Sequence, residues 1–538
     1  MAEGSGGQLA TFVATHQATE ALERARRKKE RGFAVLLVSM LTLFSLAVDG
    51  YHPYAEDGGL YMAGVQRLLD PALYPHGASF VVEPMRFSLF APAVAAVVRL
   101  SHLGLPPVLL GLHLASVWLT LFAAWMLAAR CWTSREAQTG AVALLACWLG
   151  LPIAGTALLF MDPYLTARSF STPCMVLALV GALDMTAPDD AKRRRGLVVW
   201  AGSIALAAAM HPLMAAYALG ASLMLMCARA SGRSVRVWGT VGLCGVALGL
   251  AAVLQAAAPV ESAEYVRVAL TRSYWFLTEW RWYELVGLAA PLAILAAVAW
   301  SGSATARGEF IDATEAKRAL ARMAIAIAAT ATMVALLFAR AGATTHLVAR
   351  MQPLRVFQIV YLVMVLALGA WLGERLLRQS VWRWVVALAV LGGTMLTAAR
   401  AAYPTSRHIE MPWLQPRNPW VQAFLWIRAN TPKDAFFALD PDYINADKED
   451  AQCFRAIAER SALADYSKDG GEASIAPALT EEWAAGQRAQ SGLSSESDAE
   501  RVAALEPLGV SWVVLDAQTR TGFNCPYRND VVEVCRLR

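Results

Sequence analysis

The stretch FAVLLVSMLTLFSLAVDGYHPYAEDGGLYMAGVQRLL, residues 33–69, joins an apolar run to a loop that carries charge. The run, 33–48, has no charged residue and is roughly long enough to cross a bilayer as a helix. Residues 1–32 are polar and end in a basic cluster, and no small-residue cleavage site follows the run. We therefore expect 33–48 to be a signal anchor and 1–32 to be a cytoplasmic segment.

The composition extends this membrane prediction to most of the chain. Of the 538 residues, 57% are hydrophobic and 17% are charged, whereas a soluble chain is nearer half apolar and a quarter charged. Apolar runs recur as far as residue 399 and predict about eleven membrane spans. The predicted spans are 33–48, 106–129, 139–160, 170–188, 196–210, 212–228, 237–257, 284–301, 319–339, 354–373 and 382–399.

The composition changes to mixed polar after residue 400. The predicted fold class is a polytopic α-helical membrane domain, 33–400, followed by a soluble α/β domain, 401–538. In the latter, an amphipathic helix pattern, NPWVQAFLWIRANT, precedes strand-like runs such as DAFFALD, GVSWVVLD and VVEVC. Cys525 and Cys535 flank the final NCPYRNDVVEVC segment, and we predict that they form a disulfide in an oxidising compartment.

Basic residues indicate how the spans are oriented. Alternate loops carry RCWTSRE, DDAKRRRG, RASGRSVR, ARGEFIDATEAKR and ERLLRQSVWR, which places these loops inside and the C-terminal domain outside. The net charge of +5 therefore reflects loops that face an anionic inner leaflet, and not nucleic-acid binding. The segment 87–100 is too short for a span and is interrupted by Arg99, so we interpret it as an interfacial or re-entrant helix. Residues 49–105 then form one long outer loop on a bacterial inner membrane.

Charged residues converge in three outer loops. The first loop holds the adjacent acids Glu56 and Asp57, and the segment MDPYLTARS, 161–169, holds Asp162 and Arg168. The last loop, RAGATTHLVARMQPLR, 340–355, adds basic residues. Since charge is costly close to hydrocarbon, a converging set favours a functional explanation.

Structural explanations compete for most of these residues. Asp49 alone is typical of a solvated boundary residue, and Asp162 could cap the helix that begins after Pro163. The arginines could equally bind lipid head groups. Glu56 and Asp57 fit a structural explanation least well, because they lie between His-Pro-Tyr and a Gly-Gly pair that permits close approach of a ligand.

Two of these segments resemble a known superfamily. AEDGGLYMAGVQRLL, 55–69, resembles the first outer loop of the GT-C superfamily, polytopic glycosyltransferases that use lipid-linked sugars. FMDPYLTARSF, 160–170, resembles the Asp-Pro segment of the lipid A aminoarabinose transferases and the protein mannosyltransferases. The predicted topology and the external C-terminal domain agree with that plan. This sequence has Glu-Asp where the commoner order is Asp-Glu.

The resemblance implies transfer of a sugar from a polyprenyl-phosphate donor to an acceptor at the outer membrane face. Asp57 would accept the acceptor proton, with Glu56 sharing that role or binding a divalent metal ion. Asp162 would orient the acceptor or the metal. Guanidinium groups suit the oxygens of the donor phosphate. The outer loops supply arginines for this role and other polar residues for auxiliary roles. The phosphate candidates are Arg350, Arg355 and Arg168, and the auxiliary candidates are His52, His346 and Asp49.

Two other classes of function remain open at the level of sequence. A transporter would carry charges or broken helices deep within its spans, and the predicted span interiors are nearly free of charge. A non-catalytic scaffold of envelope assembly would explain the inverted acidic pair, and it predicts that Glu56 and Asp57 tolerate replacement. In each case membrane lipids are partners and nucleic acid is not.

Overall fold

The structure, a computed structural model, describes residues 28–300, 309–445, 450 and 452–537. Most of the predicted cytoplasmic segment and part of the loop after residue 300 lie outside the described residues. Up to residue 402 the regular elements of the described residues are helices, apart from one short hairpin. Its elements are α1 (Lys28–Asp49), α2 (Glu56–Leu69), α3 (Ala78–Val82), α4 (Phe90–Ser101), α5 (Leu105–Cys131), α6 (Arg135–Cys147), β1 (Pro152–Ile153), β2 (Leu158–Leu159), α7 (Ala167–Met185), α8 (Asp190–Met210), α9 (Pro212–Arg229), α10 (Arg233–Ala257), α11 (Ala263–Leu270), α12 (Trp282–Trp300), α13 (Glu309–Phe338), α14 (Leu347–Arg350), α15 (Phe357–Trp371) and α16 (Val381–Ala402).

Within the described part of the chain, eight helices are long and apolar enough to cross a membrane, fewer than the eleven spans predicted. They confirm the predicted polytopic helical fold. Each of the predicted spans contains a helix. The largest difference concerns 139–160, where α6 ends at Cys147 and the β1–β2 hairpin follows. Pro152 lacks a backbone N–H and Gly155 has a left-handed φ of 64°, so this segment cannot continue as a helix.

The segment predicted not to span the membrane forms a sharp bend. The helical segments Ala78–Met85 and Phe90–Ser101 meet at 94°. At the bend, the Leu89 N–H donates to the Ala209 carbonyl at 2.8 Å. Residues 50–104, here called the first loop, therefore lie against the end of α8.

The membrane bundle is built around α15, in which twelve of the fifteen residues are buried. Small residues bring α6 into contact with it: a Cβ placed on Gly140 would lie 2.2 Å from the Gly369 carbonyl oxygen. Such close backbone approach stabilises helix pairs in lipid through dispersion contacts. By contrast, α10 and α16 bury only Ala251 and Gly392, as expected of helices at the edge of a bundle that face lipid.

The chain beyond residue 402 contains a mixed five-stranded sheet with helices on both faces. Strands lie in the order β4 (Ser461–Ala462), β3 (Phe436–Ala438), β5 (Trp512–Asp516), β7 (Val532–Arg536) and β6 (Tyr527–Arg528). Strand β3 is parallel to β4 and β5, and β7 is antiparallel to β5 and β6. This α/β region confirms the predicted class, and Cys525 and Cys535 form a disulfide. The elements are α17 (Pro419–Asn430), β3 (Phe436–Ala438), α18 (Phe454–Ala458), β4 (Ser461–Ala462), α19 (Lys468–Ile475), α20 (Thr480–Gln490), α21 (Asp498–Leu505), β5 (Trp512–Asp516), β6 (Tyr527–Arg528) and β7 (Val532–Arg536).

Alternation along the strands divides the sheet into two buried faces. Phe437 and Trp512 pack in a cluster that also contains residues of α17 and α2. Phe436 and Val513 point to the opposite face and pack with Leu505 of α21. One face of the sheet therefore packs directly onto the first loop.

Hydrogen bonds hold the first loop to this C-terminal region. The Cys453 backbone N–H donates to the Tyr54 carbonyl at 3.0 Å, and the Gln66 side-chain amide donates to the Ala456 carbonyl at 2.7 Å. Gly59 faces the same junction, where an added Cβ would lie 2.2 Å from the Cβ of Cys453. The glycine therefore permits close packing of protein on protein at this point.

We expect Gly59→Ala to destabilise the protein by roughly 1–3 kcal/mol, because the added methyl group overlaps Cys453 and the junction is tightly packed. Thermal unfolding in detergent, followed by tryptophan fluorescence, measures the loss. Gly111→Ala in α5 is the matched control, since no atom lies within 4 Å of its added Cβ, and it should keep or raise the melting temperature. Equal melting temperatures for Gly59→Ala and the wild type would contradict the close junction.

Candidate functional site

A cavity of about 810 Å³ lies where the first loop, the bundle and the C-terminal region meet. This volume is within the usual range of small-molecule sites, roughly 300–1,000 Å³. Its walls come from α2, the turn between α8 and α9, the 347–355 segment and α19. The charged residues that line it include Glu56, Asp57, Arg168, Arg350, Arg355, Lys468 and Glu472.

The start of α2 sets the position of the two adjacent acids. The helix begins at Glu56, and both acids lie in its first turn, where the helix dipole favours negative charge. Glu56 has a φ of 51°, a left-handed conformation that a residue with a side chain adopts at a cost of roughly 1–2 kcal/mol. The surrounding packing must hold this strained backbone, which is typical of functional sites.

Arg168 connects two carboxylates beneath the cavity. Its Nη2 atom donates to Asp57 Oδ2 at 3.0 Å and to Asp162 Oδ2 at 2.9 Å. Arg168 and Asp162 are 9% and 6% exposed, whereas Asp57 is 31% exposed towards the cavity. The Ser169 hydroxyl accepts a hydrogen bond from the Thr166 N–H at 3.0 Å and so fixes the start of α7 that carries Arg168.

A lysine of the C-terminal region contacts both members of the acidic pair, Glu56 and Asp57. The Lys468 ammonium contacts the Glu56 carboxylate and lies 3.5 Å from Asp57 Oδ1. Arg272 donates to the carbonyls of Ser467 and Tyr466 at 2.8 and 2.9 Å, which holds the start of α19 against the bundle. The sequence analysis missed Lys468 because it lies in a polar stretch of the C-terminal region, far along the chain from the acids.

The charges around Asp57 determine its protonation state. Burial raises the pKa of this carboxyl, but the nearby cations Lys468, Arg168 and Arg355 outweigh burial and hold the pKa well below its usual value. Burial likewise lowers the pKa of Lys468, and the carboxylates of Glu56 and Asp57 outweigh it and raise the pKa above the usual lysine value. Asp57 and Lys468 are therefore both ionised at neutral pH.

The pKa of Glu472, one turn after Lys468 in α19, is shifted in the opposite direction to that of Asp57. Burial is the main cause that raises its pKa to about 8, and the neighbouring carboxylates of Asp57, Asp469 and Glu83 add to the effect. Its side chain lines the cavity. At neutral pH Glu472 is therefore a protonated acid that can donate a hydrogen bond. No pattern in the sequence indicated this residue.

The two arginines of the 347–355 segment both line the cavity. Arg350 donates to the Ile475 carbonyl at 3.1 Å and its guanidinium lies 5.6 Å from the centre of the Tyr265 ring. Within the described residues, the buried Nε atoms of Arg350 and Arg355 have no hydrogen-bond partner. Guanidinium groups that line a cavity are suited to bind an anion.

Three of the predicted auxiliary residues do not line this cavity. The Nδ1 atoms of His52 and His346 pair with Glu410 and Glu261 at 3.2 and 2.7 Å. Asp49 accepts a backbone N–H bond at 3.1 Å at the end of the bundle. Glu56, Asp57, Arg168, Arg350 and Arg355 do line the cavity, and Asp162 is joined to it through Arg168.

The residues predicted to bind a metal are both paired with cations of the protein. Glu56 contacts Lys468 and Asp162 contacts Arg168. Among the described residues, one set of three His, Cys, Asp or Glu ligand atoms lies within 4.8 Å of one another, and it comprises Cys525, Glu533 and Cys535. The two cysteines of that set are joined in the disulfide. The cavity carboxylates as arranged do not fit a divalent ion, which requires several oxygen ligands around one point.

Comparison with known proteins found similarity at the level of structure. The archaeal oligosaccharyltransferase AglB from Archaeoglobus fulgidus, in complex with an inhibitory peptide and a dolichol-phosphate, is 12% identical with a TM-score of 0.47, over 91% of this chain and 70% of that chain. An oligosaccharyltransferase from the same organism, in complex with Zn and sulfate, is 13% identical with a TM-score of 0.38, over 90% and 68%. The arabinofuranosyltransferase AftD from Mycobacteria is 14% identical with a TM-score of 0.48, over 94% and 41%.

The names of these proteins describe sugar-transferring enzymes. This chain spans about two fifths of the arabinofuranosyltransferase. No protein-family model and no curated protein matches the sequence. The function is therefore argued from the residues of the cavity.

Glu472 gives the stability of the protein a defined pH dependence. The folded protein keeps the proton of Glu472 up to about pH 8, whereas the unfolded chain releases it near the ordinary value of 4.5. Between these values the folded state binds more protons, so this residue lowers the stability as the pH rises. We expect the melting temperature of Glu472→Gln, measured relative to the wild type, to increase from pH 4.5 to about pH 8 and then to level off.

Glu481→Gln is the matched control, because Glu481 is exposed in the following helix. Its melting temperature should differ from that of the wild type by the same amount at each pH. Parallel curves for Glu472→Gln and the wild type would contradict a protonated Glu472.

Proposed function

We propose that this chain is a GT-C-like membrane glycosyltransferase that moves a sugar from a polyprenyl-phosphate donor to the hydroxyl group of an acceptor. The observation that carries the proposal is that one cavity is lined both by acids, which can accept a proton, and by arginines, which can bind a phosphate. The acids at the start of α2, of which Asp57 is ionised at neutral pH, face a group of arginines that line the same cavity.

The reaction needs a group that accepts a proton and a group that stabilises the departing phosphate. The acceptor oxygen forms a bond to the anomeric carbon, and the carbon–oxygen bond to the phosphate breaks with its electron pair on the phosphate. Asp57 receives the acceptor proton. Although the resting Asp57 is a weak base, a phosphate bound at Arg168 and Arg355 partly neutralises both cations and raises the proton affinity of the carboxylate.

The cavity also suits a donor that is part lipid. Guanidinium groups of Arg355, Arg168 and Arg350 match the oxygens of a phosphate, and they lie on the bundle side of the cavity. Apolar side chains cover much of the remaining wall and can contact the first part of a polyprenyl chain. They are Leu60, Phe87, Met210, Leu213, Leu347, Met351 and Ile475.

We place the cavity on the outer face of a bacterial inner membrane, with residues 401–538 as an external domain that covers it. The basic loops described above support this orientation by the positive-inside rule. The disulfide between Cys525 and Cys535 supports it independently, because disulfides persist in oxidising compartments. The domain that carries the disulfide also carries Lys468, so the cavity belongs on the same side of the membrane.

Asp57→Asn is expected to abolish transfer while the donor still binds, because the amide keeps the shape of the carboxylate and cannot accept the proton. The loss of turnover should be about 10²–10⁴-fold, the usual contribution of a general base. Purified protein in lipid nanodiscs is titrated with polyprenyl-phosphate sugars, and donor binding and sugar release are measured separately.

Asp70→Asn is the matched control: Asp70 lies in the first loop and pairs with Lys433 at 2.6 Å, outside the cavity. It should keep both binding and turnover. Turnover by Asp57→Asn equal to that of the wild type would contradict the role of Asp57. Failure of the wild type to bind any such donor would favour the scaffold function instead.

A further inference from the structure

Cations of the protein lie beside each of the three acids at the site. Three acids, Glu56, Asp57 and Asp162, are accompanied by Lys468 and Arg168, each in direct contact with two of them. Arg355 is the third positive charge that acts on Asp57. The acidic pair is thus already neutralised by protein groups on three different parts of the chain.

Contacts of neighbouring residues fix the backbone position of Lys468. Its side chain is only 17% exposed, although lysine is rarely buried unless it is paired. The turn before it is fixed by the two hydrogen bonds from Arg272, and the next residue, Asp469, pairs with Arg455 at 2.6 Å. These contacts fix the backbone from which the ammonium group reaches both Glu56 and Asp57.

We infer that Lys468 is the resident cation of the Glu56–Asp57 pair, so that the site operates without a divalent metal ion. This inference rests on the proposed function and adds a positioning residue from the C-terminal region. A divalent ion bound to the pair would displace the ammonium group and put two positive charges in place of one, in a site that four arginines already line. Lys468 instead contacts both carboxylates and so orients Asp57 towards the acceptor.

The test measures the binding of Mn²⁺ to the full chain in nanodiscs by electron paramagnetic resonance. The wild type should bind no Mn²⁺ at the pair, and its turnover of the donor should be unchanged by a chelator. Lys468→Gln removes the internal cation, so Mn²⁺ affinity should rise by about tenfold or more, since carboxylate oxygens are the ligands that hard cations prefer. In the double variant Glu56→Gln/Lys468→Gln this gain should be lost.

Lys433→Gln is the matched control, because Lys433 also pairs with an acid of the first loop but lies outside the cavity. It should leave Mn²⁺ binding unchanged. Stoichiometric Mn²⁺ binding to the wild type that disappears in Glu56→Gln would overturn the inference, and so would the absence of any gain in Lys468→Gln. The Mn²⁺ titration needs no donor, so failure of the proposed transfer reaction is recognised separately, by the lack of turnover in the wild type.

Discussion

The buried guanidinium of Arg168 is the constraint on which the site depends. One nitrogen atom of this side chain donates to both Asp57 and Asp162, and the arginine is almost completely enclosed. Taking a charge out of water costs several kcal/mol unless partners are in place, so the two carboxylates stabilise the buried guanidinium in its position. The arginine thereby fixes the relative position of α2, the 161–166 segment and α7.

The C-terminal region is the second requirement of this arrangement. Arg168 and Lys468 approach Asp57 from opposite parts of the chain, one at the start of a membrane helix and the other at the start of α19. The cavity is complete only when the sheet is packed against the first loop and α19 is held by Arg272. The strained backbone of Glu56 is stabilised by the same contacts, because the Cys453 thiol donates to its carbonyl oxygen at 3.1 Å.

Local sequence patterns predicted the membrane helices and the charged loop residues that line the cavity. The spans follow from apolar runs, and the acids and arginines follow from short charged segments between those runs. Lys468 and Glu472 could not be predicted in this way, since their role arises only when residues about 400 positions apart come together. His52 and His346 were predicted to be auxiliary site residues, but they pair with Glu410 and Glu261 instead. These acids lie far from the histidines in the sequence, so a local pattern could not reveal the pairing. The early end of α6 reflects Gly and Pro residues inside an otherwise apolar run.

The central claim is that one cavity holds the phosphate of a lipid-linked sugar against arginines and its sugar beside Asp57. The most direct measurement is a cryo-electron microscopy structure of the protein in nanodiscs with a non-hydrolysable polyprenyl-phosphate sugar analogue. The account predicts phosphate density within hydrogen-bond distance of Arg355 and the sugar between it and Asp57. Density for the head group elsewhere on the protein, with this cavity unchanged, would contradict it.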